Sequence, residues 1–123
     1  MQNSFGKRNT APPTDFEHRQ MDRSMQHFLR DVVPIVYRGP GEVRYRLDGR
    51  VIEVFEVQAH PVYPTRGIRL PIALLQGAES GGPWQLFFRG EQGHWRPFPA
   101  DVPLLRLETV LRELEHDKLG VFW

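Results

Sequence analysis

Cysteine is absent from the 123 residues. Disulfides, thiolate nucleophiles and Cys-based zinc sites are therefore excluded. Lysine is nearly absent: only Lys7 and Lys118 occur among the 16 basic residues, and the others are Arg. Guanidinium favours bidentate pairing with carboxylate or phosphate. An excess of one charge is also missing, since 16 Lys and Arg face 15 Asp and Glu for a net +1. A dedicated duplex-DNA binder shows a strong basic surplus on one face, and the totals show none. No apolar run approaches the ~20 residues of a membrane helix. The polar start Met1-Gln-Asn-Ser-Phe-Gly-Lys-Arg leads into no apolar segment, so no secretory signal is expected. The expected location is cytoplasmic, with no membrane partner.

Catalytic signatures are missing as well. His18, His27, His60, His94 and His116 form no His-x-x-x-His pair, and no nucleophile elbow, phosphate loop or dinucleotide fingerprint occurs. The Gly-rich stretch from 77 to 82 lacks the Lys and the following helix that would cradle phosphate. No metal, cofactor or catalytic constellation is therefore assigned.

What is present is an ordinary globular composition, 40% hydrophobic and 25% charged, at the length of one domain. Residues 1–13 are polar, end in Ala11-Pro12-Pro13 and read as a flexible N-terminal arm. Residues 14–123 read as a single α+β domain. Thr14 and Glu17 have the spacing of a capping box. Behind them Phe16, Met21, Met25, Phe28, Leu29 and Val32 recur at helical spacing, which predicts an amphipathic helix that ends near Pro34.

Strands follow. Val43, Tyr45 and Leu47 alternate with Arg44, Arg46 and Asp48, the period of a half-buried strand. Asp48-Gly49 predicts a type I′ hairpin, which places Leu47 opposite Arg50, Tyr45 opposite Ile52 and Arg44 opposite Glu53. The return strand, Arg50 to Gln58, is apolar on both faces except for Glu53 and Glu56. Further strands are expected over 70–76, 84–89 and 94–98, with short connections that favour antiparallel neighbours. A last helix is expected from a cap at Asp101 or Val102, with Pro103 in its first turn. It carries Leu104, Leu107, Leu111 and Leu114 on one side and a Glu108–Arg112 pair on the other. Lys118 and Gly120 mark its end. Val121-Phe122-Trp123 is expected to fold back onto the core, because two large aromatics seldom stay in water. The predicted fold is thus a five-stranded antiparallel β-meander with one N-terminal and one C-terminal α-helix. In the plainest packing the helices and tail cover both faces of its sheet.

Several of these segments carry a shared pattern. Phe55-Glu56, Pro71-Ile72-Ala73, Trp84-Gln85-Leu86-Phe87-Phe88, Trp95-Arg96-Pro97-Phe98 and the tail Asp117-Lys118-Leu119-Gly120-Val121-Phe122-Trp123 resemble a small bacterial family of unknown function. The resemblance covers about two thirds of the chain, from Gly41 to Trp123, and the tail is its most specific part. The family pattern has a Cys in the tail and an Arg-Pro pair after Phe-Glu, where this chain has Val121 and Ala59-His60-Pro61. The resemblance implies boundaries and fold class and no chemistry.

The candidate binding surface consists of Arg44, Arg46, Glu53, Glu56, Arg89 and Arg96. The first expectation is a non-catalytic binding or interaction module for an unknown protein partner or for self-association. A second is a metal-dependent hydrolase or nuclease-like enzyme built on Asp48 and Glu56-Val57-Gln58. On strands at ~3.3 Å per residue those carboxylates stand about 26 Å apart, too far for one ion. A third is single-stranded nucleic-acid binding through Arg and aromatics, which is less favoured because adjacent strand residues face opposite sides. Glu53 and Glu56, three apart, cannot act as a carboxylate pair for the same reason.

Overall fold

The structure, a computed structural model, describes residues 11–79 and 82–123. Residues 1–10, most of the predicted arm, lie outside the described residues. Ala11 is held at both backbone ends. Its N–H donates to Glu79 Oε1 at 2.8 Å and its carbonyl accepts from Arg50 Nε at 3.2 Å.

Helix α1 spans Asp15–Asp31. Its capping box forms as the spacing predicts: Glu17 N–H donates to Thr14 Oγ1 at 3.1 Å, and Thr14 N–H donates to Glu17 Oε1 at 2.9 Å. Met21, Met25 and Phe28 form its buried stripe. Pro34 does not follow the helix as a bare stop. It sits in the first turn of a short helix α2, Val33–Val36, where its missing N–H costs nothing.

Five strands follow, β1 Glu42–Asp48, β2 Val51–Ala59, β3 Gly67–Gln76, β4 Gln85–Arg89 and β5 Trp95–Pro97. They form one antiparallel sheet in sequence order. The fold class is the α+β meander the periodicity predicts. β3 starts three residues before the predicted Leu70. Val57, Gln58 and Ala59 continue to pair, with Arg69, Ile68 and Gly67. A β-bulge at Val54/Phe55 leaves Ile72 as the extra residue and sets Pro71 opposite Phe55. A bulge is one of the few places where a ladder tolerates proline.

The first hairpin differs from the predicted register by two residues. Leu47 faces Ile52, Tyr45 faces Val54, Arg46 faces Glu53 and Arg44 faces Phe55. The turn is Gly49-Arg50, not Asp48-Gly49. Only Gly49, at φ +60°, takes a positive φ there. A turn of type II′ places that demand on its first central residue alone, whereas type I′ would have forced Asp48 out of the extended region as well. The shift leaves every side chain on its expected face, because it is an even number of residues.

Helix α3 spans Leu107–His116, starting four or five residues later than the cap at Asp101 or Val102 predicts. The Leu104 carbonyl accepts the Trp84 N–H at 2.6 Å, so the stretch around Pro103 runs beside the start of β4 instead of coiling. Glu108 pairs with Arg106 at 3.5 Å and accepts from Ser24 Oγ at 3.3 Å, in place of the predicted Arg112 pair.

The expectation that both sheet faces are helix-covered is overturned. One core cluster joins Met21, Met25 and Phe28 of α1 and Val110, Leu111 and Leu114 of α3 to Ile52, Val54, Ala73, Leu75 and Leu86 of the sheet. Both helices thus lie on one face, and among the described residues no helix covers the other. The two helices pack side by side over one face because each presents a single apolar stripe to the same strands.

The tail does close over the core. Asp117 caps α3 in the left-handed region at φ 45°, and its carboxylate accepts three backbone N–H groups: Val121 at 2.8 Å, Phe122 at 3.0 Å and Trp123 at 3.1 Å. Gly120, at φ +66°, makes the reversal. Phe122 is buried, and Trp123 packs against Phe28 and Tyr37 while its Nε1–H donates to the Leu114 carbonyl at 2.8 Å.

Candidate functional site

Strand alternation sorts the six candidate residues between the two faces. Arg44 and Arg46 on β1, Glu53 on β2 and Arg89 on β4 project from the helix-free face. Glu56 and Arg96 do not join them. Glu56 lies opposite Val43, on the helix side with Ile52 and Val54, and its Oε2 is enclosed there without a hydrogen-bond partner. Arg96 lies opposite Phe88, whose ring packs into the core. Glu53 and Glu56 therefore stand on opposite faces, as their spacing requires.

On the helix-free face the charges are linked. Glu53 Oε1 pairs with Arg46 at 3.3 Å and with Arg69 at 3.8 Å. The predicted Arg44–Glu53 pair does not form, because the hairpin register moves Arg44 opposite Phe55, and Arg44 pairs with Glu42 at 2.8 Å along its own strand. Arg69 is the residue that sequence reasoning missed. Its guanidinium lies 4.0 Å from the Phe55 ring centroid. The signal was present in the Ile68-Arg69-Leu70 alternation, but Gly67 and the prolines before it read as loop. Further across, Arg89 lies 5.3 Å from the Trp95 ring centroid. Four exposed guanidiniums, those of Arg44, Arg46, Arg69 and Arg89, thus share one face. Two of them are stacked on aromatic rings, which holds a planar cation in a fixed orientation.

On the helix side a cavity of 410 Å³ lies between α1 and the start of α3 and is lined by Arg23, Arg50, Trp84 and Arg106 with Glu17 and Glu79. There Arg50 pairs with Glu17 at 3.1 Å and is only 12% exposed. The Thr14 backbone N–H, then the Arg50 guanidinium, hold the Glu17 carboxyl below the ordinary carboxylate value. Glu17 is taken up by the helix cap and by Arg50 of the hairpin turn, and Glu79 by the Ala11 N–H, so the feature reads as a structural joint. Among the described residues no group of three or more His, Asp or Glu side chains is placed to hold a metal ion. No described helix is long and apolar enough to cross a membrane.

Fold and surface together define a small α+β domain in which helices back one face of an antiparallel meander and, among the described residues, no helix covers the arginine-bearing face. The chain belongs to a family described as a domain of unknown function, DUF3024, which matches residues 13–123. Comparison with curated proteins returns no match. Comparison with solved structures returns none either.

Proposed function

We propose that this domain is a non-catalytic binding module whose protein partner docks on the helix-free face of the sheet. The observation that carries this reading is the set of four exposed guanidiniums on that face, two of them oriented by the Phe55 and Trp95 rings. Arginine and aromatic side chains are the residues most enriched where protein interfaces concentrate their binding energy. A rigid sheet also presents them at little ordering cost. Carboxylate chemistry has no comparable support. Asp48 and Glu53 project from the open face while Glu56 projects from the other, so the strand carboxylates do not converge.

Single-stranded nucleic acid is the second reading, favoured only by the two arginine–ring stacks. Phe55 is 4% exposed beneath Arg69, which leaves no ring face for a base. Glu42, Asp48 and Glu53 also dilute the positive field. The test is photo-crosslinking in the cells that make the protein, with the photoreactive residue placed at position 46, 69 or 89, and at position 112 on α3 for comparison. A discrete protein adduct at the first three positions and none at the fourth is expected. Adducts equal at all four positions would refute the docking face. Salt-sensitive binding of a labelled oligonucleotide, lost with Arg89→Glu, would replace it with the nucleic-acid reading.

A further inference from the structure

The sheet has two edges of unequal kind. β5 is three residues long and contains Pro97, a short and blunted edge. β1 is seven residues long and, among the described residues, pairs only with β2. In an antiparallel hairpin the pair flanking a two-residue turn exchanges both its backbone hydrogen bonds, and such pairs alternate with non-bonded ones. Asp48 and Val51 flank the turn here. Arg46, Arg44 and Glu42 therefore direct their N–H and C=O groups at β2. Val43, Tyr45 and Leu47 direct theirs away from the sheet. Among the described residues no hydrogen bond reaches these outward backbone groups.

A groove of 520 Å³ runs beside this edge, between β1 and helices α1 and α2. Leu29, Val33, Pro34, Tyr37, Val43 and Tyr45 form its apolar wall. Tyr45 is fixed in place because its hydroxyl donates to the Asp22 carboxylate of α1. Unpaired strand backbone next to an apolar slot is what an added strand needs: the backbone supplies affinity, and the slot selects alternate side chains.

We propose that the β1 edge docks an extended acidic peptide as a sixth strand, with its apolar side chains entering the groove and its acidic ones facing Arg44 and Arg46. Those two arginines are 56% and 59% exposed on their side chains. Their present pairs with Glu42 and Glu53 are of the solvent-exposed kind that contributes little, and they exchange easily for a partner's carboxylates. The outward face of β1 reads Glu42, Arg44, Arg46, Asp48, which is the same charge order in both directions. A second copy added antiparallel about a two-fold axis therefore meets like charge in the register that pairs the whole strand. Centred on Tyr45 it sets Arg44 against Arg46 and Glu42 against Asp48. Centred on Arg44 or Arg46 it sets that arginine against itself beside two opposite-charge pairs, and the ladder is shorter. Like charges directly opposite destabilise a strand pair, so full-length self-pairing is disfavoured where an acidic strand is welcomed. This site shares Arg44 and Arg46 with the face proposed above but not Arg69, Arg89 and Trp95, which lie strands away from the free edge.

The experiment is selection of displayed peptides, long enough to span β1, on the full chain. An enriched sequence is then synthesised with a fluorophore and titrated by anisotropy. Enrichment of Asp or Glu alternating with Val, Ile, Leu or Phe is expected, with amide shift changes at Val43, Tyr45 and Leu47. Leu47→Pro removes one outward N–H and leaves the β1–β2 ladder intact, because that N–H is not part of it. It is expected to weaken binding about tenfold or more. The double variant R44E/R46E is expected to do the same and keeps the test open if the proline variant misfolds. No enrichment, enrichment without alternation, or binding indifferent to both variants would overturn the proposal. Binding lost with Arg89→Glu but kept with Leu47→Pro would also overturn it, while leaving the helix-free face as the functional surface. A light-scattering mass of twice 14.4 kDa that reverts with Leu47→Pro would make a second copy the occupant and overturn the acidic peptide.

Discussion

The Asp117 carboxylate is the most consequential small perturbation available. Three backbone donors converge on it within 3.1 Å, and they come from the three residues that carry Phe122 and Trp123 into the core. A hydrogen bond to a charged group contributes about 1.5–3 kcal/mol where solvent is excluded, and less at a half-exposed site. Taking about 1 kcal/mol for each donor here, Asp117→Ala should cost about 3 kcal/mol. Alanine must also hold the left-handed conformation at φ 45°, which adds about 1 kcal/mol. Asp117→Gly removes the carboxylate without that strain and should cost about 1 kcal/mol less than alanine. Asp117→Asn keeps one acceptor oxygen and tolerates the conformation, but it turns an amide N–H₂ toward one of the donors. It should cost about 1–2 kcal/mol. The assay is urea unfolding followed by far-UV circular dichroism, with Trp fluorescence as a second probe and m-values compared across the variants. The expected order of loss is Ala, then Gly, then Asn. Equal costs for Asn and Ala, or a cost below about 0.5 kcal/mol for Ala, would refute the clasp as the device that holds the tail.

Three further outcomes follow from the same structure. Burial, then the Asp22 carboxylate, pushes the Tyr45 hydroxyl up from 10.0 to about 12. A group with a raised folded value stabilises fully below its unfolded value and loses that contribution as pH rises through the folded one. Unfolding free energy should therefore fall between pH 10 and 12, and Tyr45→Phe should flatten that fall in denaturant melts across the range. Glu17 has a lowered value, so its contribution is present above the ordinary carboxylate range and is lost as pH falls through the lowered one. Acid unfolding of Glu17→Gln should accordingly show a shallower pH dependence, and an unchanged acid limb would count against the Thr14–Glu17–Arg50 joint. Glu56 Oε2 is enclosed without a partner, so Glu56→Leu should raise stability by about 1 kcal/mol in urea melts. A loss of that size would mean the carboxylate is satisfied.

Much of the candidate surface was legible only as residue types. Arg44, Arg46 and Glu53 share a face because strand alternation is a covalent consequence of extended backbone, and that part could be read directly. Their pairing could not. Moving the turn from Asp48-Gly49 to Gly49-Arg50 is a choice between two short turns of similar cost, and it decides that Arg46, not Arg44, meets Glu53. Arg69 stayed hidden because its strand begins in a loop-like stretch. Its role depends on a bulge that brings Pro71 opposite Phe55, a cross-strand adjustment with no local mark. Asp117 was visible in the tail pattern, yet its function depends on three amides being brought around to one carboxylate.

The sequence alone determined whatever is periodic or chemically local. It gave the meander with a helix at each end, the Thr14–Glu17 cap, the burial of the terminal aromatics and the absence of any cysteine chemistry. These follow from one backbone period, one turn or one residue type at a time. Tertiary structure alone decided which face both helices cover, where α3 begins, and which arginines stay exposed on the other face. Each of those outcomes is set by competition between distant surfaces for the same buried area and the same backbone donors. The Leu104 carbonyl that takes the Trp84 N–H, and so delays α3, is the plainest instance. Nothing within a window of neighbouring residues records who wins such a contest.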